Sequence, residues 1–315
     1  MPMNHSGNSK RLIYFGNERL VSGLAHTNAP ILRGLLERGY TVVAVVSHHS
    51  ESTSRNMRQL EVADIAAEYN IPVFLPHKPG EIIETLAELH ADAAILAAYG
   101  RIISQQVIDL FPMGIINIHP SLLPSFRGPT PIESAIISGE NTTGVSIMKL
   151  TSGMDEGPIY AKQSVELRGD EDKFELYETL SRIGSSLLFD TLPTILNGQL
   201  KPVEQEDDAA TYSNLMSKSD GIIDWNKLAT RIEREIRAYK NWPQSRTNIH
   251  GIDVIITKAH VIPGGTRMSG DVEITTDNLN IATRDGILSI DTLKPIGKKE
   301  MPVKAFLSGY KSKFR

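Results

Sequence analysis

The run Gly114-Ile115-Ile116-Asn117-Ile118-His119-Pro120 is too short for a helix, is built on isoleucine, and is stopped by a proline. It reads as a buried strand whose last residues emerge at an edge. Working back from it, short apolar strands at residues 12–15, 41–46, 72–74 and 93–97 alternate with helical patterns at 30–38, 59–69 and 81–90. That βαβαβαβ order predicts an α/β fold, a doubly wound, Rossmann-like and mostly parallel sheet. Working forward, a second β-branched run spans residues 143–149, a turn cluster follows at Thr151-Ser152-Gly153, and a strand is expected at 159–166. A long helix is expected over 173–196, where Leu176, Leu180, Ile183, Leu187 and Leu188 recur at helical spacing and Asn197-Gly198 ends the pattern.

Strand geometry places Asn117 and His119, two residues apart, on one face of the sheet. Pro120 and Pro124 bracket Ser121, Leu122 and Leu123, which predicts a rigid loop whose remaining amides are free to face a ligand. The turn at 151–153 delivers Asp155 beyond the next strand end, and ligands of open α/β sheets sit beyond the carboxyl ends of strands. Taken singly, His119 reads as a satisfied histidine at a strand end, Asn117 as a turn former and Asp155 as an ordinary turn carboxylate. Together they put an amide, an imidazole and a carboxylate around one pocket, a set suited to acyl transfer to an amine. Other constellations carry less. His48-His49 has no further ligand at metal-binding spacing, and Gly16-Asn17-Glu18 lacks the Gly-x-Gly-x-x-Gly pattern of dinucleotide-binding proteins.

The 315 residues suffice for two domains, each with a core. The absence of cysteine excludes disulfides, thiol nucleophiles and cysteine-ligated zinc. The polar first ten residues lack the apolar core of a signal peptide, and the longest purely apolar run, residues 93–99, is too short to span a bilayer. A cytoplasmic protein without membrane contact is expected. The acidic, aperiodic segment 201–210 is expected to be the linker between a domain over 1–200 and a domain over 211–315. The formal charge divides at that point: residues 1–210 carry 16 Lys and Arg against 26 Asp and Glu, or −10, whereas residues 211–315 carry 17 against 11, or +6. A basic module of this kind suits a polyanion. Beyond a helix expected over 225–238, short strands at 254–256, 272–274, 279–281 and 287–290 predict a small β-barrel.

The chain resembles the folate-dependent formyltransferases, whose shared pattern is Asn-x-His, then Ser-Leu-Leu-Pro, then a downstream Asp. Ala97-Ala98-Tyr99-Gly100, Arg127-Gly128, Gly144-Val145-Ser146-Ile147-Met148, Ile223-Asp224-Trp225, Trp242-Pro243 and Asp285-Gly286-Ile287-Leu288 fall in the order expected of the methionyl-tRNA branch of that superfamily, from about residue 10 to residue 305. The resemblance implies a catalytic domain over 1–200, an OB-like tRNA-binding domain over 211–315, and formyl transfer from 10-formyltetrahydrofolate to the amine of charged initiator tRNA in translation initiation. It implies no metal, and a monomer is the default expectation. Sugar-nucleotide and glycinamide ribonucleotide formyltransferases are the alternatives; the latter need only the first domain.

On that resemblance, His119 accepts or relays the amine proton, Asn117 donates to the oxyanion, and Asp155 orients His119 and stabilises its imidazolium, or acts through a water. Ser121, Leu122, Leu123 and Pro124 are expected to line the folate and amine sites, with Tyr99, Ile102 and Ile103 walling the pterin pocket. Arg55, Arg58, Lys298 and Lys299 are the candidate tRNA contacts. Two positions depart from the tRNA enzymes: Pro120 stands where glycine is common, and the connection 47–60 holds only Arg55 and Arg58 as cations, with no glycine.

Overall fold

The computed structural model describes residues 10–314 apart from 22, 23, 25, 49–59, 265 and 266. The first half of the chain forms a sheet from β1 (Arg11–Gly16), β2 (Thr41–Val46), β3 (Val73–Phe74), β4 (Ala93–Ala97), β5 (Ile115–His119), β6 (Thr142–Lys149) and β7 (Ile159–Glu166). Their spatial order is β3-β2-β1-β4-β5-β6-β7. The strands from β3 to β5 are parallel, while β6 and β7 add antiparallel neighbours at one side. The expected doubly wound sheet is therefore present, with its order reversing between β1 and β4.

The alternation of strand residues sorts the core into two layers. Leu12, Tyr14, Ile116 and Ile118 face α1 (Pro30–Glu37), α2 (Glu61–Glu68), α5 (Pro131–Ser138) and the long α6 (Lys173–Leu196). Ile13, Phe15, Ala94, Leu96 and Ile115 face the other way, toward α3 (Ile83–Glu88) and α4 (Gln105–Ile108). Asp172 caps α6 by accepting from the amides of Phe174 and Glu175, and the Glu175 side chain returns a bond to the Asp172 amide. Gly16 is fixed by close approach at the reversal of strand order: a Cβ there would lie 2.0 Å from the carbonyl oxygen of Ala97.

The second half holds α7 (Ala229–Ala238), β8 (Ser245–Ile249), β9 (Ile252–Pro263), β10 (Val272–Ile274), β11 (Leu279–Ala282), β12 (Gly286–Pro295), β13 (Met301–Pro302) and α8 (Val303–Gly309). Its strands form one curled antiparallel sheet in the order β10-β11-β12-β9-β8, with β13 on β12, consistent with the expected OB-like module. Register shifts around Thr292 bend β12 where it runs along β9. Ile232 and Ile236 of α7 and Phe306 and Leu307 of α8 close the core. Helix α7 starts four residues later than the periodicity suggested, because Asp285 accepts from the Ala229 amide at 2.8 Å and caps the helix from far away in sequence.

The two halves are tied by specific bonds. Arg231 and Arg234 of α7 donate to the carbonyls of Ile137 and Ser138 at the end of α5, and Arg237 donates to the Glu171 carbonyl. Lys173 donates to the Trp242 carbonyl at 2.8 Å and lies 3.8 Å from Glu133. Both charged side chains are buried, and burial pushes the Glu133 carboxyl up and the Lys173 ammonium down while each opposes the other's shift. A buried ion pair is costly to break from one side only, because the survivor keeps its desolvation penalty without its partner. Lys173→Ala should therefore lower unfolding free energy in urea by about 3–5 kcal/mol, whereas Lys173→Met combined with Glu133→Leu should recover most of that loss.

Candidate active site

Strand β5 brings Asn117 and His119 to one face, beside Met148 and Ser146 of β6. Both side chains are buried. The His119 Nε2 lies 3.0 Å from the Phe126 carbonyl oxygen. A carbonyl can only accept, so Nε2 carries a hydrogen and the neutral ring presents its lone pair at Nδ1. Asp155 Oδ2 stands 3.6 Å from that Nδ1, at ion-pair distance but too far for a direct hydrogen bond. The Phe126 carbonyl thus holds the ring directly, and the Asp155 carboxyl stands opposite Nδ1. The same Oδ2 accepts from the Gly128 amide at 2.9 Å. Phe126 and Asp155 both adopt left-handed backbone, at φ 57° and 51°. Such conformations persist in non-glycine residues only where surrounding bonds over-determine them.

Those bonds come from the segment expected to be a linker, residues 201–210, and from the three residues after it. Residues 203–213 lie as a strap against the loop that follows β5: Val203 exchanges backbone bonds with Ile159, the Thr211 hydroxyl accepts from the Phe126 amide, and Ser213 donates its amide to the Arg127 carbonyl. Arg127 is only 2 % exposed and donates to Gln205, Asp207 and Tyr212. Gln205 in turn donates to the carbonyls of Asp155 and Gly157, both at 2.7 Å. Gly128, at φ 107°, has no room for a Cβ, which would come within 2.7 Å of the Ser213 carbonyl oxygen.

The Ser121–Pro124 loop is also internally braced. The Ser121 amide donates to the His119 carbonyl and its hydroxyl to the Ser125 carbonyl. Ser146 donates to the Ser121 carbonyl and accepts from the Leu123 amide. The amides of Ser121 and Leu123 are therefore engaged rather than free for a ligand, a correction that follows from the burial of both residues. Leu122 and Pro124 are partly exposed. Tyr99 is a core residue, 1 % exposed and edge-on to Phe15, with burial pushing its phenol up to about 12; Ile103 is buried and Ile102 is 89 % exposed. Of the three, Ile102 alone presents its side chain fully to solvent. Arg55 and Arg58 lie outside the described residues, and Lys298 and Lys299 are exposed in the turn between β12 and β13. Among the described residues no cluster of three or more His, Cys, Asp or Glu could hold a metal ion, and no helix is long and apolar enough to cross a membrane.

Residues 19–192 match the family described as formyl transferase, and residues 215–311 match the formyl transferase C-terminal domain. The chain belongs to the formyl transferase family. Within that family it is 37 % identical over 284 residues to the methionyl-tRNA formyltransferase of Roseiflexus castenholzii, covering 87 % of this chain and 89 % of the relative. It is 34 % identical over 314 residues to that of Dictyoglomus turgidum, covering 96 % of each. The fold is shared with an N-formyltransferase from Helicobacter canadensis solved with folinic acid and dTDP-3-aminofucose, at a TM-score of 0.67 and 19 % identity over 93 % of this chain and 99 % of that one. It is shared too with HypX from Aquifex aeolicus, at a TM-score of 0.64 and 19 % identity over 96 % of this chain and 49 % of that one.

Phe126, Ser146 and Gln205, which brace the candidate site, are not singled out by the sequence. Ser146 lies inside the Gly144–Met148 motif, whereas Gln205 carries no periodic signal. Glu18 stands where the strand order reverses and lines a small cavity with Ile31, Ala97, Ile118 and Pro120. It accepts from the Ile31 and Leu32 amides at the start of α1 and from the Tyr14 hydroxyl. Burial pushes its carboxyl up to about 7 against those donors, so between about 4.5 and about 7 the folded protein binds more protons than the unfolded chain. Stability should accordingly fall as pH rises through that window. Urea midpoints taken at about pH 5 and about pH 8 should show the decline, and Glu18→Gln should flatten it.

Proposed function

We propose that this protein transfers the formyl group of 10-formyltetrahydrofolate to the α-amino group of methionyl-tRNA, the charged initiator of translation. The observation that carries the reading is the pairing of both family domains with identity to methionyl-tRNA formyltransferases over nearly the whole chain.

The chemistry asks three things of the protein. The amine must lose a proton as its nitrogen attacks the formyl carbon, the resulting oxyanion must meet a donor, and the partners must be held in line while the carbon–nitrogen bond to the folate breaks. An α-amino group titrates near pH ~8, so a useful fraction is already neutral. In this reading His119 takes the proton at Nδ1, the nitrogen left as acceptor by the Phe126 carbonyl. The new imidazolium then faces Asp155 across 3.6 Å, an arrangement that stabilises it as it forms, and it returns the proton to the departing folate nitrogen as the carbon–nitrogen bond breaks. Asn117, on the same strand face, offers its side-chain amide to the oxyanion. The braced Ser121–Pro124 loop and exposed Ile102 would border the folate.

The barrel would hold the acceptor. Its net charge of +6, against −10 for residues 1–210, suits the RNA backbone, and Lys298 and Lys299 stand exposed on it. Arg55 and Arg58 are proposed as contacts near the acceptor end. Residues 1–200 would form the catalytic domain, 201–210 the connection and 211–315 the RNA-binding domain. One chain contains every proposed catalytic group, so a monomer suffices, and a role in translation initiation would place it in the cytoplasm.

The test is direct. The protein is incubated with formyltetrahydrofolate and, separately, charged initiator tRNA, glycinamide ribonucleotide and an amino-sugar nucleotide. Charged tRNA should gain formyl, with a KM that rises steeply with salt because each phosphate neutralised by the protein releases counterions and adds about −0.7 to −0.9 to the log–log slope of affinity against salt. Replacing Lys298 and Lys299 by Glu should raise that KM further without weakening folate binding. Faster formylation of either small acceptor would overturn the assignment.

A further inference from the structure

We propose that Gln205, held by Arg127, is a positioning residue for the reaction, setting Asp155 opposite His119; this rests on the catalytic reading of Asp155 given above. Arginine has donors and no acceptors, so the atom of Gln205 that meets Arg127 Nε at 3.1 Å and Nη2 at 2.9 Å must be the amide oxygen. Backbone carbonyls accept only, so the atom that meets the carbonyls of Asp155 and Gly157 at 2.7 Å must be the amide nitrogen. Both ends of the side chain are therefore assigned, and no flipped amide fits.

What Gln205 grips is the strained part of the site. Asp155 sits in left-handed backbone at φ 51°, and Gly157 is packed so closely that a Cβ would lie 2.0 Å from the Lys149 carbonyl oxygen. Gln205 bonds to the backbone on both sides of Glu156. It thereby fixes the turn that aims the Asp155 carboxylate at both His119 Nδ1 and the Gly128 amide. Arg127 in the same chain carries the carbonyl that receives Ser213, and its neighbours Phe126 and Gly128 contact His119 and Asp155. The segment leading to the C-terminal domain thus supplies a side chain to the catalytic site.

Gln205→Glu tests this with little change of size. The carboxylate can still meet Arg127, but it sets an acceptor against two carbonyls, so the Asp155 turn loses both bonds and meets repulsion. Single-turnover formylation of charged initiator tRNA, folate affinity and thermal midpoint would be measured for wild type, Gln205→Glu, Asp155→Asn and the double variant, with Gln205→Met replacing Gln205→Glu should that protein fail to fold. The expected result is a rate loss of about 10- to 100-fold in the wild-type background, with folate affinity kept within about twofold. In the Asp155→Asn background the same substitution should cost little more, because the group it positions is already gone. Equal losses in both backgrounds, or none in the wild type, would overturn the proposal while leaving the role of Asp155 intact. Full activity of Asp155→Asn alone would overturn the proposal together with the reading beneath it.

Discussion

A buried guanidinium must find acceptors, and Arg127 has to find them within a few ångströms of the proposed chemistry. It is 2 % exposed and always charged. Its acceptors, the Gln205 amide oxygen, the Asp207 carboxylate and the Tyr212 hydroxyl, all come from one segment 78 to 85 residues away in sequence. Satisfying that single side chain draws residues 205–212 across the loop after β5. Once the strap is there, its backbone and hydroxyl groups complete the bonding of Phe126, Arg127 and Thr130. The left-handed turns at Phe126 and Asp155 are then held from both sides.

This arrangement explains how a rigid site can be built from loops. An imidazole at a strand end has rotational freedom unless one nitrogen is committed, and the Phe126 carbonyl commits Nε2. A carboxylate in a turn can swing unless its backbone is pinned, and Gln205 and the Gly128 amide pin Asp155. Ser146 braces the neighbouring loop from the sheet itself. Donors and charges fixed before the substrate arrives need not reorganise as charge develops, which is where enzymes gain most of their electrostatic advantage.

The sequence made the local part of this legible. The isoleucine-rich run before Pro120, the alternation of strands and helices, and the leucine spacing of α6 predicted the parallel sheet, because one face or two faces of burial leave a period in the residues. Strand parity puts Asn117 and His119 on one face, and the turn after β6 together with the resemblance singles out Asp155. What stayed hidden was non-local. Strand β8 reads Ser-Arg-Thr-Asn-Ile and lies at the sheet edge, where few side chains are buried and no clear alternation survives. The start of α7 depends on Asp285, more than fifty residues on. Residues 201–210 look like a tether because their partners are buried polar groups of another segment. That pattern leaves no hydrophobic signature.

The architecture joins the C-terminal half to the N-terminal half through more than a tether. Bonds from α7 cap α5, Lys173 reaches the Trp242 carbonyl, and the strap enters the site before the chain reaches the barrel. The central claim is that the planar fork of Arg127, and its charge alone much less, shapes the site. Arg127→Lys measures this most directly, since it keeps the charge but cannot bridge Gln205, Asp207 and Tyr212 together. The account predicts a kcat for formyl transfer lowered about 10- to 100-fold with folate affinity retained. Wild-type kcat in a folded Arg127→Lys protein would contradict it.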